Sequence, residues 1–365
     1  GWSESQQAPA YSTYKESYQF RPFLISWSRS NLYMAGSVVK TLGYRNSKSY
    51  GIYLSVGPLE LKENSVGPIR SPHAVLVDNS FENLFFGVYS HESVGTQLIG
   101  NEYINNIVYG IDPHDRSRDL IIAYNTAYDS QRKHGIIISR EVNDSYFIGN
   151  LSFANKGSGF MLDRLSTGSF VYANTAFDNQ GDGFTAFESS CTIIASNRFI
   201  ANDTVGIRVR NSMDTGLFYN IIAGNTKSGI KAYVDDLITN PEHHHRDFIL
   251  DPYATITATS SVGNWIEGND IGINAERMAA LYLQGNRFYQ QSPKLIRGQW
   301  DAELPMLLRQ YDMARGVLVT EKCPQERLLE PYQCRFREQG LLTGDGQDTL
   351  LERARTPVCQ EESTS

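Results

Sequence analysis

The chain has 365 residues, 41% hydrophobic and 20% charged, long for one ordinary domain and with enough apolar material for a sizeable core. No run of eighteen apolar residues occurs, which excludes a transmembrane helix. The formal net charge of −7 argues against nucleic acid as a partner, although a sum of charges leaves room for a locally basic groove.

The opening "GWSESQQAPA" has neither a basic start nor an apolar run, so no signal peptide is read there. Residues 1–40 lack the period found later. They are expected to be the truncated start of a repeat region, and the chain reads as an excised part of a longer protein, with a cytoplasmic or already processed chain as the alternatives.

Further along, a repeat emerges when segments are aligned on one glycine. They are "GVYSHE" at Gly87, "GIDPHD" at Gly110, "GIIISR" at Gly135, "GFMLDR" at Gly159, "GFTAFE" at Gly183, "GIRVRN" at Gly206 and "GIKAYV" at Gly229. Successive spacings are 23, 25, 24, 24, 23 and 23 residues. A second marker, Asn-x4-Asn, keeps the same beat at Asn101/Asn106, Asn150/Asn155, Asn174/Asn179, Asn197/Asn202, Asn220/Asn225 and Asn264/Asn269, while Asn125 is followed by Ser130. Between the markers lie short runs such as "LIIAYN", "SYFIGN" and "SFVYAN", rich in residues that favour strands. A period in the twenties means stacked units. Leucine-rich repeats share it, but their leucine pattern is missing, and a β-sandwich would need the glycines to align by chance. The reading is an all-β chain, a right-handed parallel β-helix over residues 41–291 with three short strands and about 23–25 residues per coil. The asparagines are expected to form ladders at its bends, where Asn and Gly also tolerate a left-handed backbone.

Alternate side chains of a strand face opposite sides. One residue after each glycine stand Val88, Ile111, Ile136, Phe160, Phe184, Ile207 and Ile230, and the column three after is also essentially apolar, so both point inward. Two after, the column reads Tyr89, Asp112, Ile137, Met161, Thr185, Arg208, Lys231; four after, it reads His91, His114, Ser139, Asp163, Phe187, Arg210, Tyr233. These point outward onto one face. Five after, where the chain begins to bend, come Glu92, Asp115, Arg140, Arg164, Glu188, Asn211 and Val234. Neighbouring coils are about 4.8 Å apart, which brings Arg140 beside His114, one position out of column. Pro113 has no N–H for the ladder, so this strand is expected to be irregular at the histidine. Arg140, Arg164, Arg208, Arg210 and Lys231 recur along one side, as a linear anionic polymer lying along the axis would require. Asp163 and Glu188 interrupt them, and the alternative is an ordinary solvated face. Tyr109 and Lys133 complete the candidate substrate contacts.

Among the other histidines, His243, His244 and His245 sit in "NPEHHHRD", an internal loop read as solvated rather than metal-binding. From Ser292 the period stops and "AELPMLLRQYDMARGVLVTEK" reads as helix. Residues 292–365 are therefore expected to form a helical cap and tail over the open end, where strand edges are otherwise unpaired. The cysteines are Cys191, Cys323, Cys334 and Cys359. No C-x-x-C pair exists, so no structural zinc site is expected. Three of them fall in the last 43 residues, which suits a stapled tail in an oxidising compartment, with free thiols as the alternative.

His114 stands apart because Asp112 and Asp115 flank it and an arginine is expected on the next coil. A neighbouring carboxylate fixes the imidazole tautomer, and a neutral imidazole accepts a proton near neutral pH. Abstracting a proton alpha to a carboxylate concentrates two negative charges, which a metal ion or a guanidinium must neutralise; Arg also matches a carboxylate bidentately. Base plus neutraliser on adjacent coils fits chemistry at C-5 of a uronic acid. Reprotonation from the opposite face inverts the sugar, whereas expulsion of the 4-O substituent cleaves the chain, and spacing does not separate the two. Calcium on Asp112 and Asp115 is the alternative neutraliser, but two adjacent carboxylates are too few for a convincing site. No metal and no cofactor is expected.

At "YGIDPHDRS", with the coil series that follows, the sequence resembles the periplasmic alginate epimerases, the mannuronan C-5 epimerases of alginate-producing Gram-negative bacteria. The Asp-Pro-His-Asp motif, Asp112 to Asp115, is intact, and the resemblance covers residues 40 to 290 and extends to the C-terminal cap. It implies conversion of β-D-mannuronate to α-L-guluronate within the polymer, without an obligatory calcium ion. It implies His114 as the base, Arg140 as the neutraliser of the substrate carboxylate, and water as the source of the returned proton. It also implies a periplasmic location alongside the alginate secretion machinery. A polysaccharide lyase on the same fold and a non-catalytic polyuronate-binding solenoid are the competing readings.

Overall fold

The computed structural model describes residues 20–28, 30–46, 49–57, 71–243, 246–249, 251–276, 280–290 and 296–298, with Ser5 and short strand pieces nearer the two ends. Three parallel sheets of 11, 10 and 10 strands run the length of the stack. Each coil gives one strand to each sheet. In one coil these are Phe160–Asp163, Phe170–Tyr172 and Thr175–Phe177, paired in parallel with the coils before and after. This is a parallel β-helix, as the period requires.

The two inward columns form its interior. Ile111, Ile136, Phe160, Phe184, Ile207 and Ile230 are all fully buried in one continuous cluster, as are Ile138, Leu162 and Val209. Each such side chain contributes about 1.5–3 kcal/mol when removed from water, and the next coil supplies the cover that a single coil lacks.

The glycine column has a different cause from the one expected. None of its seven members has a positive φ. They are glycines because coils approach closely: a Cβ at Gly110 would lie 2.6 Å from the Gly135 carbonyl oxygen, and one at Gly183 would lie 2.8 Å from that of Gly206. The left-handed backbone falls instead on residues just ahead of the ladder asparagines, including Tyr124, Ala154 and Ala173, and on the position five after the glycine.

The asparagines do form ladders. Asn79, Asn101, Asn125, Asn150, Asn174, Asn197, Asn220, Asn264 and Asn286 are linked amide to amide, each Nδ2 donating to the next Oδ1. A second ladder runs Asn155, Asn179, Asn202, Asn225, Asn269. Asn174 shows the pattern: its Nδ2 donates to the Phe147 carbonyl at 2.9 Å and its Oδ1 accepts from the Asn150 backbone N–H at 2.9 Å. Replacing Asn174 with Ala strands several buried groups at about 1–3 kcal/mol each, so a loss of roughly 3 kcal/mol is expected from urea unfolding. A loss below about 1 kcal/mol would reduce the ladder to decoration.

Stacking runs beyond residues 41–291. Leu24–Trp27, Asn31–Ala35 and Val38–Lys40 already occupy the three sheets, and Ile296–Gly298 closes the longest one. The beat hides this because longer segments separate Gly51 from Gly87 and Gly229 from Gly272, although Gly51 and Gly272 occupy the same column. The expected helical cap lies almost wholly outside the described residues. Where the expected helix is described, it is not helix: Tyr311–Asp312 and Val317–Leu318 form a short antiparallel pair. Of the cysteines, Cys191 is disulfide-bonded, and Cys323, Cys334 and Cys359 lie outside the described residues. No described helix is long and apolar enough to cross a membrane.

Candidate active site

The strand Tyr109–His114 belongs to the 11-stranded sheet and ends at the histidine. Its ladder to the next coil pairs Ile111 with Ile136 and His114 with Ser139, skipping Asp112 and Pro113, where proline offers no N–H. The chain then turns through left-handed conformations at Asp115 and Arg116, with φ of 41° and 60°. The same corner recurs at Glu92, Arg140, Arg164, Glu188 and Asn211, so it belongs to the coil geometry rather than to the site. Its consequence is local. It directs the residue after the outward column back over that column.

Asp115 is the hub. Its Oδ2 lies 2.7 Å from His114 Nδ1 and 3.8 Å from His91 Nε2, and its Oδ1 lies 3.7 Å from Arg140 Nη1. An ionised carboxylate only accepts, so it fixes the proton on Nδ1 and leaves Nε2 as the basic nitrogen. The Tyr89 ring stacks on the imidazole at 5.5 Å, and Ser117 Oγ donates to the His114 carbonyl at 2.9 Å. His114 is thus outward-facing, partly covered and locked in orientation.

Burial disfavours the imidazolium, but the hydrogen bond with Asp115 and the charges of Asp112 and Asp115 outweigh it, so the His114 pKa is raised. Asp115 is also penalised by burial, yet its bond to His114 and the charges of His114 and Arg140 hold its pKa down. Asp112 behaves oppositely. Only 3% exposed, and with no hydrogen-bond partner for Oδ1 among the described residues, it is pushed up by burial to about 7, against the lowering charge of His114. The carboxylate that orients the imidazole is therefore Asp115, and Asp112 is buried beside it.

The other expected contacts divide into two groups. Tyr109, its ring stacked on His134 at 5.8 Å, and Lys133 are both near enough to act electrostatically with Asp112. Arg140 is half exposed and borders a cleft of about 260 Å³ formed by Arg140–Glu141, Arg164–Leu165 and, from the insertion after Tyr233, Arg246–Asp247 and Asp251. Of the remaining cations, Arg208 and Arg210 are matched by carboxylates at hydrogen-bond distance and Lys231 more loosely. Asp182 takes both Nε and Nη2 of Arg208, at 2.5 and 2.8 Å. Arg210 pairs with Glu188 at 3.3 Å and is nearly buried, and Lys231 stands 3.9 Å from Glu276. The stripe is thus not a row of open cations.

Sequence reasoning passed over Tyr89 and His91 as site residues, although both stand in the outward columns. It also passed over Arg246, which it left in a solvated loop and which is in fact buried against Glu188. His244 and His245 lie outside the described residues. No group of three or more His, Cys, Asp or Glu suited to a metal ion occurs among the described residues.

Residues 87–271 match the family model described as right-handed β-helix region. The chain is 45% identical over 274 residues to a mannuronan C5-epimerase of Pseudomonas fluorescens, covering 74% of this chain and 50% of that protein. It is 46% identical over 272 residues to a mannuronan C5-epimerase of Pseudomonas aeruginosa, covering 74% and 49%. Among solved structures it is similar to the periplasmic alginate epimerase AlgG, with a TM-score of 0.72 and 36% identity over 79% of this chain and 66% of that one. The chain spans about half the length of the curated relatives it matches.

Proposed function

We propose that this chain, which belongs to the right-handed β-helix family, is a polymer-level C-5 epimerase that converts β-D-mannuronate to α-L-guluronate in polymannuronate. The observation that carries this reading is the His114–Asp115–Arg140 arrangement, a tautomer-fixed imidazole beside a half-exposed guanidinium. The likeness to mannuronan C5-epimerases supports the substrate.

In this mechanism His114 Nε2 removes H-5, and the electron pair passes into the carboxylate, which then carries two negative charges. Arg140 faces that charge with its fork of N–H donors. Asp115 orients the base and stabilises the imidazolium. Asp112 is buried beside it, its carboxyl pushed up by burial to about 7. A water molecule returns the proton to the opposite face. The catalytic unit is the stack of coils, whose strands run from Leu24–Trp27 to Ile296–Gly298. The periplasm, alongside proteins that secrete the polymer, is the location that goes with this reading.

Proton NMR of polymannuronate incubated with the protein tests it. Guluronate signals are expected. The 4,5-unsaturated ends of a lyase, or an unchanged polymer, would overturn it.

The pH profile follows from the same groups. A base must be neutral, so kcat/KM is expected to rise as pH climbs through the raised His114 pKa. Asp115→Asn removes the strongest raising influence, so its acidic limb should move to lower pH while the maximum falls. A limb that stays in place would separate Asp115 from the base. Asp112 titrates in the same range, so the limb reports the coupled pair rather than one residue.

A further inference from the structure

The insertion between Tyr233 and Ala258 leaves the coil beat and lies back over the corners of earlier coils. Asn211 anchors one part of it through the carbonyls of Asp235 and Ala254, at 2.9 and 2.7 Å. Arg246 anchors another. Its side chain is 1% exposed, and it ion-pairs with Glu188 at 2.6 Å and with Asp251 at 2.8 Å. It also donates to the carbonyls of Asp251 and Pro252 at 3.1 and 3.3 Å. Asp251 in turn stands 3.9 Å from Arg164.

Arg140 and Arg164 hold the same position on adjacent coils, about 4.8 Å apart along the stack, and both line the cleft. Their own carboxylates are distant, at 3.7 and 3.9 Å, whereas Arg208 and Arg246 are held at hydrogen-bond distance. The two cleft guanidiniums therefore keep donors to offer, and a polyuronate presents one carboxylate per sugar.

We infer that the insertion builds a second carboxylate subsite beside the reacting one: Arg164 receives the carboxylate of the adjoining sugar, and Arg246, through Asp251, is the positioning residue that sets Arg164 there. This rests on the polyuronate reading above. Arg246 is buried because its task is structural. With Glu188 on one side and Asp251 on the other, it fixes the insertion to the coil and keeps Asp251 from closing tightly on Arg164.

The test compares KM with kcat on polymannuronate for Arg164→Ala, Asp251→Asn and the pair Glu188→Gln/Arg246→Met, which leaves neither member of the buried pair charged. Each is expected to raise KM about tenfold, the order of one lost charge-assisted hydrogen bond, with a much smaller change in kcat. Combined with Arg164→Ala, the pair variant should add almost nothing. An unchanged KM in the pair variant, or fully additive effects, would overturn the inference. If the pair variant does not fold, the half-buried Asp251→Asn variant decides alone on the same KM criterion. A wild type that makes no guluronate would instead overturn the underlying reading.

Discussion

Replacing His114 with Ala is expected to leave a folded protein whose epimerisation of polymannuronate falls by about 10²- to 10⁴-fold, the range for a lost general base. The fold should survive because the imidazole lies on the outer face of its sheet, outside the core formed by Ile111, Ile136 and their column. Asp115 keeps Arg140 and His91 as neighbours when the imidazole is gone, so its charge is not abandoned in the interior. Circular dichroism and melting should match the wild type. Wild-type turnover in the folded variant would remove His114 from the mechanism.

Arg140→Ala is expected to reduce turnover by about 10²- to 10³-fold, the scale of losing a donor aimed at developing oxyanion charge. Arg140 is half exposed and its contact with Asp115 is loose, so little stability depends on it. Arg140→Lys should recover little, because one ammonium replaces a planar fork that meets both carboxylate oxygens. Full rescue by lysine would mean that only net charge is required there. The pH profile of Arg140→Ala adds a second readout. Arg140 lowers the His114 pKa, so its loss should move the acidic limb upward.

The coil and its directions were legible because they repeat. Seven aligned glycines gave the stack, and period-two alternation correctly assigned Ile111 inward and His114 outward. Pro113 announced the gap in its ladder through the N–H it lacks. What escaped was whatever lies outside the repeat. The partners of Arg208 and Lys231 are Asp182, which precedes its strand, and Glu276, on a coil beyond the insertion, so columns read within regular coils displayed cations without their counterions. Arg246 had no column at all, and a string of histidines beside it made the segment look solvated. The choice between Asp112 and Asp115 was equally hidden. Both flank His114 in sequence, and only the left-handed turn at Asp115 swings one carboxylate onto Nδ1 while the other, on the same outward face as His114, is buried. The glycine column was read correctly as a marker but for another reason, since close approach, not backbone sign, excludes a side chain there.

The central claim is that His114 removes the C-5 proton and that solvent returns one to the opposite face. Turnover of polymannuronate in deuterated water, followed by NMR, tests it most directly. The wild type should place deuterium at C-5 of each new guluronate, and folded His114→Ala protein should incorporate almost none. Deuterium at C-5 at the wild-type level in the His114→Ala product would contradict the account.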